Sequence, residues 1–240
     1  MNPPSLSTLS LSLEQGIAEI RLNRPDKSNA MNDAMWQEIR QAFDWVDATP
    51  EARVAILSGA GRNFCAGIDL TLLAGIQQRI AHPDAARSRE ALRRLILDLQ
   101  DCLSSVERCR KPVLAAIQGA CIGGALDLVT SCDMRYAAAD AVFSVREIDL
   151  GMVADVGTLQ RLPRLIPEGA ARELAFTGRN FRAEEGERLG LINRVFASNE
   201  ALTAAVRELA QTIAAKSPLS TRGIKEVMNF SRDHSVADGL

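Results

Sequence analysis

Histidine is nearly missing from this 240-residue chain: His82 and His234 are the only two, and neither has a second histidine or a cysteine at ligand spacing. A zinc or non-haem iron centre therefore has almost no raw material. The five cysteines, at 65, 102, 109, 121 and 132, form no CxxC pair and sit in apolar surroundings. That excludes a disulfide framework and reads them as reduced packing residues. Basic charge is not in excess either: 28 Lys and Arg against 30 Asp and Glu leave a formal net charge of -2. Nothing in this balance attracts a phosphate backbone, so no nucleic-acid partner is expected and any anionic ligand must be met by local groups. No apolar run approaches the roughly 20 residues of a membrane span, and the start MNPPSLSTLS has neither the basic flank nor the apolar centre of a leader. These absences lead to the expectation of a cytoplasmic protein with no metal and no membrane partner.

What is present is a hydrophobic share of 47%, enough for one sizeable core. Apolar residues alternate from Leu9 to Leu22 around Glu14-Gln15-Gly16, the pattern of a β-hairpin. Asn32 or Asp33 caps a helix whose apolar face runs Met35, Ile39, Phe43, Val46. Val54 to Leu57 and Pro112 to Ile117 read as buried strands that end in glycines, and Ala85 to Cys109 as a long amphipathic helix. The helix from Ile122 to Ser131 is apolar nearly all round and so should be buried; strands follow at Met134–Ala139 and Val142–Val145. From Val156 onward the pattern is helical apart from Ile192 to Phe196, and the best boundary falls near Ala197–Glu200, with helices at about 200 to 215 and 220 to 230 beyond it.

Two segments carry glycines from a strand into a helix: Asn63-Phe64-Cys65-Ala66-Gly67-Ile68-Asp69 and Gly119-Ala120-Cys121-Ile122-Gly123-Gly124-Ala125-Leu126-Asp127. A helix start offers free N–H donors, and glycine lets a ligand oxygen come close to them. Each segment alone also reads as an ordinary turn, and neither fits a nucleotide-phosphate loop. Asp127 is a carboxylate on an otherwise apolar helix, either a structural hydrogen-bond partner or a catalytic group. Glu147 and Asp155 flank an apolar stretch that raises carboxyl pKa values toward those useful in proton transfer. Their alternatives are an ion pair with Arg146 for Glu147 and a helix cap for Asp155. Asp149 is assigned to structure. His82 and His234 lie in polar stretches and read as surface residues rather than members of a hydrolase triad.

Four ordered stretches, NRPDKSNAM (Asn23 to Met31), NFCAGIDL (Asn63 to Leu70), KPVLAAIQGACIGGALDLVTSCDMRYA (Lys111 to Ala137) and FSVREIDLGMVADVGTLQRLPRLI (Phe143 to Ile166), together resemble the enoyl-CoA hydratase/isomerase, or crotonase, superfamily. The acids at 127, 147 and 155 with ADVGTLQRLP are similar to its dienoyl-CoA isomerase branch. The resemblance implies an α/β fold, the crotonase-like β-β-α spiral in residues 1–197, with a helical C-terminal region in 198–240 used in assembly as a trimer or dimer of trimers. It implies an acyl-CoA substrate with no separate cofactor, an oxyanion hole from the N–H groups of Ala66 and Gly124, and proton transfer by Glu147 and Asp155 with Asp127 between them. Lys27, Ser28, Ala30, Gly67, Ile68, Asp69, Leu70 and Gly123 would bind the substrate. Family chains run on past the SRDHSV stretch, so the helical region ending at Leu240 is expected to be shorter than theirs. An enoyl-CoA hydratase and a non-catalytic acyl-CoA-binding homologue remain alternative readings.

Overall fold

The computed structural model describes residues 3–240. The chain opens with an antiparallel hairpin, β1 (Leu9–Glu14) and β2 (Ile17–Leu22), joined by Gln15 and Gly16, both with positive φ as a two-residue hairpin turn requires. Helix α1 (Asp33–Ala48) is capped by Asn32, whose side chain accepts the Met35 N–H at 3.0 Å, and buries Met35, Ile39, Phe43 and Val46. Next come β3 (Val54–Gly59), α2 (Leu70–Arg79), α3 (Ala85–Arg108), β4 (Val113–Ile117), β5 (Ala120–Ile122), α4 (Gly124–Thr130), β6 (Met134–Ala138) and β7 (Val142–Ser144). A 3-10 turn at Arg146–Leu150 leads to α5 (Thr158–Leu165), α6 (Glu168–Thr177), β8 (Phe181–Arg182), α7 (Ala183–Leu189) and β9 (Arg194–Phe196). The chain closes with α8 (Asn199–Ala214), α9 (Pro218–Phe230) and α10 (Val236–Gly239).

Two sheets result. The larger has the order β1-β2-β3-β4-β6-β9, parallel from β2 onward, and the smaller the order β5-β7-β8. Strands β4 and β6 of the large sheet are each followed along the chain by a strand of the small one, β5 and β7, and then by a helix, the β-β-α turn of a spiral. One face of the large sheet, with Ile20, Leu57, Ala115 and Ile117, packs on α1, α3 and α4. The other, with Ile17, Val54, Ile56, Leu114 and Ala116, is covered by Leu202, Val206, Ala210 and Ala214 of α8. Burial on both faces explains why these strands are apolar without alternation. The helix at 199–214 is therefore a layer of the core. Strand β8, absent from the sequence reading, is only two residues long and closes the small sheet beside β7.

Helix α4 is short and buried throughout, so both of its ends must be satisfied within the protein. Buried Arg135 serves its C-terminal end, donating to the carbonyls of Val129 at 3.4 Å and Cys132 at 2.6 Å. The N-terminal end, at Gly124, is left for the site.

Candidate active site

Two strand-to-helix turns meet at the start of α4. In the first, the Phe64 and Cys65 N–H groups donate to Gln118 and Ala120, and Ile122 donates back to Cys65, a one-residue parallel bridge between Cys65 and Cys121. Gly67 then turns with φ of 93°, and a β-carbon on it would stand 2.6 Å from the Ile122 oxygen and 3.5 Å from the Gly124 nitrogen. Only glycine allows this approach. In the second turn Gly123, with φ of 56°, donates to Ser144 at 2.9 Å and precedes α4 without any side-chain cap. The Gly124 N–H has no hydrogen-bond partner among the described residues.

The expected donor Ala66 requires a correction. Its N–H is already spent on the Ser28 carbonyl at 2.9 Å, so it does not face the Gly124 side. Two residues on, Met31 donates to Gly67 and Asp69 donates to Met31, a bridge that uses the neighbours of Ile68 and leaves its own N–H on the opposite side. That N–H has no partner among the described residues. Of the two, Ile68, expected only as a substrate contact, is therefore the residue whose N–H is free among the described residues.

The loop before α1 supports this turn. Ser28 and Asn29 both adopt left-handed φ, 49° and 55°. The buried Asn29 amide donates to the carbonyls of Ala60, Asn63 and Phe64 at 2.8, 2.9 and 3.0 Å. The sequence reading passed over this residue, although asparagine is the type that tolerates a left-handed backbone. Ser28 accepts from the Asn63 amide, and Ala30 offers its carbonyl to Arg24. Arg24 also pairs with Asp69 at 3.0 Å, and Asp69 caps α2 through the Thr71 N–H. The Arg24 hydrogen bond holds the Asp69 carboxyl below its usual range, and both of its oxygens are engaged. Lys27 and Asp69 line a cavity of about 460 Å³ with Arg24, Asn32, Thr71 and Arg79, while Leu70 beside it is exposed.

Three carboxyls lie beyond the turns. Asp127, one helical turn into α4, is fully buried; its Oδ1 accepts the Thr158 N–H at 2.5 Å and its Oδ2 has no partner among the described residues. Burial pushes its carboxyl up to about 6 against the lowering effect of Thr158. Glu147 leans over Gly123: its Oε1 would stand 3.2 Å from a β-carbon there, and its Oε2 is buried with no partner among the described residues. Burial and then the neighbouring Asp127 charge raise it to about 7. Arg146 does not pair with it; that guanidinium goes to Asp149 at 2.8 Å and to Asn180, the structural role expected of Asp149. Asp155 is exposed at the rim, and partial burial of its carboxyl still raises its pKa. It caps no helix, since Gly157 precedes α5, and Gln100 of α3 fixes its backbone at 2.6 Å. Asp155 also lines a cavity of about 700 Å³ with Gln100, Gln160 and Arg161.

A site with uncapped N–H donors beside buried, protonatable carboxyls suits reactions that place charge on a carbonyl oxygen, and the comparisons agree with that class. The chain belongs to the enoyl-CoA hydratase/isomerase family, which matches residues 12–238. It is 44% identical over 237 residues to the peroxisomal Delta(3,5)-Delta(2,4)-dienoyl-CoA isomerase of Arabidopsis thaliana, covering 98% of this chain and 85% of that protein. It is also 44% identical over 230 residues to the mitochondrial Delta(3,5)-Delta(2,4)-dienoyl-CoA isomerase of Homo sapiens, covering 95% of this chain and 70% of that one. Among solved structures, an enoyl-CoA hydratase from Bacillus anthracis superposes with a TM-score of 0.87 at 32% identity, covering 98% of this chain and 87% of that chain.

These relatives overturn the cytoplasmic expectation, because they are named for the peroxisome and the mitochondrion. Organelle addresses are read by receptors and are not part of a packed core, so composition and fold carry no record of them.

Proposed function

We propose that the protein converts 3,5-dienoyl-CoA into 2,4-dienoyl-CoA. The reading rests on one observation above all: Glu147 and Asp127 lie together beside the uncapped start of α4, with a third carboxyl, Asp155, near enough for its charge to act on Glu147.

Loss of a C2 proton moves negative charge onto the thioester oxygen, and N–H donors held in place there favour the transition state. Ile68 and Gly124 supply those donors. Glu147, raised toward neutrality, takes the C2 proton. The resulting dienolate is delocalised to C6, too far for Glu147 to serve both ends, and Asp155 delivers a proton there. The C2–H and C6–H bonds exchange, the double bonds move from C3 and C5 to C2 and C4, and no oxidant, metal or cofactor besides the substrate's own CoA enters. Each turnover leaves Glu147 protonated and Asp155 ionised, and the exposure of Asp155 gives the reset a route through bulk water. Arg24, Lys27 and Arg79 around the smaller cavity suit the phosphates of CoA. Assembly as a trimer or dimer of trimers belongs to the same reading and is supported by exposed apolar side chains on α9, including Leu219, Ile224, Val227 and Met228.

The test is an absorbance assay with 3,5-dienoyl-CoA beside crotonyl-CoA. Conjugation of the diene is the expected result; hydration of crotonyl-CoA with no dienoyl turnover would overturn the proposal in favour of a hydratase.

A further inference from the structure

The buried atoms left without partners among the described residues include Asp127 Oδ2, Glu147 Oε2 and the hydroxyl of Thr158. All three belong to side chains around one point. Thr158 is the first residue of α5, is itself buried, and its N–H already donates to Asp127 Oδ1 at 2.5 Å. Its hydroxyl has no other acceptor among the described residues and acts on the same carboxyl, favouring its charged form.

We propose that Thr158 is the positioning residue that decides which member of the Asp127–Glu147 pair carries their shared proton. Its N–H and hydroxyl favour Asp127 as the anion, and the proton is left to Glu147. Two carboxyls this close do not both ionise readily, so a donor that serves only one of them sets the order. The other groups facing Asp127 do not make this choice equally well. Arg161, one turn along α5, lowers Asp127 by its charge but is bound to Glu107 and Ser104. Cys121 of β5 is a buried thiol held protonated by its surroundings. Asp155 reaches Glu147 from the rim and acts in the same direction as Asp127. In the dienoyl-CoA isomerase reading, on which the catalytic part of this inference rests, an anionic Asp127 makes Glu147 a stronger base toward C2.

The experiment compares Thr158→Val, which removes the hydroxyl and keeps the shape, with Thr158→Ser, which keeps the hydroxyl. Thr158→Ala replaces the valine variant if that one does not fold. Carboxyl titration by infrared absorption of the full, unliganded chain reads the pair without substrate. In the valine variant Glu147 should release its proton lower by about one pH unit, the scale of one hydrogen bond to a charged group. Serine should restore the original value, and a Thr158→Val, Asp127→Asn double variant should titrate like Asp127→Asn alone. In the rate profile the acid limb of kcat should move down with Glu147 while the plateau falls about tenfold, as for a weakened general base. An unmoved titration, or equal shifts in valine and serine variants, overturns the assignment. A shifted titration in a chain that does not turn over 3,5-dienoyl-CoA sinks the isomerase reading and leaves the assignment of Thr158 standing.

Discussion

Asp127 and Glu147 hold their protons to higher pH in the folded chain than carboxyls do in water, and this has a direction for stability as well as for catalysis. Between the ordinary carboxyl range and their raised values, the native state binds more protons than the unfolded chain, so stability falls as pH rises through that window. For Asp127 the window runs from its ordinary value of 3.8 to about 6, and for Glu147 from 4.5 to about 7. Asp127→Asn keeps an oxygen for the Thr158 N–H and removes the charge. It should stabilise the protein by about 1–3 kcal/mol above pH 7 and by little near pH 4, measured by thermal unfolding across pH. The rate should rise through about pH 7 as Glu147 ionises. Glu147→Gln and Asp155→Asn should each lower kcat about 10²–10⁴-fold with smaller changes in KM; a variant that kept the full rate would remove that residue from the mechanism. Apolar surroundings singled out all three acids in the sequence, while the roles given to them came only from the family resemblance. The donor N–H was not legible, because Ala66 and Ile68 differ only in which side of the backbone faces Gly124, and that is set by pairing with Ser28 and Met31, more than 30 residues away.

Among elements, the turn between β3 and α2 has little room for change. Gly67→Ala would place a methyl 2.6 Å from the Ile122 oxygen at a φ of 93°, so the two turns must part. A loss of activity of at least a hundredfold is expected with about 1–3 kcal/mol of destabilisation, read from kcat/KM and denaturant midpoints. Asn29→Ala removes three donor contacts at once and should cost about 2–4 kcal/mol, since the Ala60 and Phe64 carbonyls are left in a buried setting. The hairpin, the Asn32 cap and the long α3 could all be read from local pattern, as each is dictated by residues within a few positions. The role of α8 could not. Its apolar stripe says only that it packs, and the partner face of the large sheet is assembled from β2, β3, β4 and β6.

At the scale of the whole molecule, α9 presents Leu219 at 79% and Met228 at 66% exposure, large values for side chains of this type. If they meet other copies, sedimentation should give a trimer or hexamer, and Ile224→Glu with Met228→Glu should move the population toward single chains. A wild-type chain that sediments as a monomer would remove this part of the proposal.

The bridges Met31–Ile68 and Cys65–Cys121 are each one residue wide, yet they join segments 37 and 56 positions apart. No local piece of the chain can hold the two N–H groups in register by itself, so there is no partly folded form that retains catalysis. Trp36 lies under the same spot, its ring 3.6 Å from where a β-carbon on Gly124 would be. Turnover should accordingly be lost at the denaturant concentration at which the emission of Trp36, read in a Trp45→Phe chain, shifts to longer wavelength, and the enzyme's own rate then serves as a gauge of how much of the population is native.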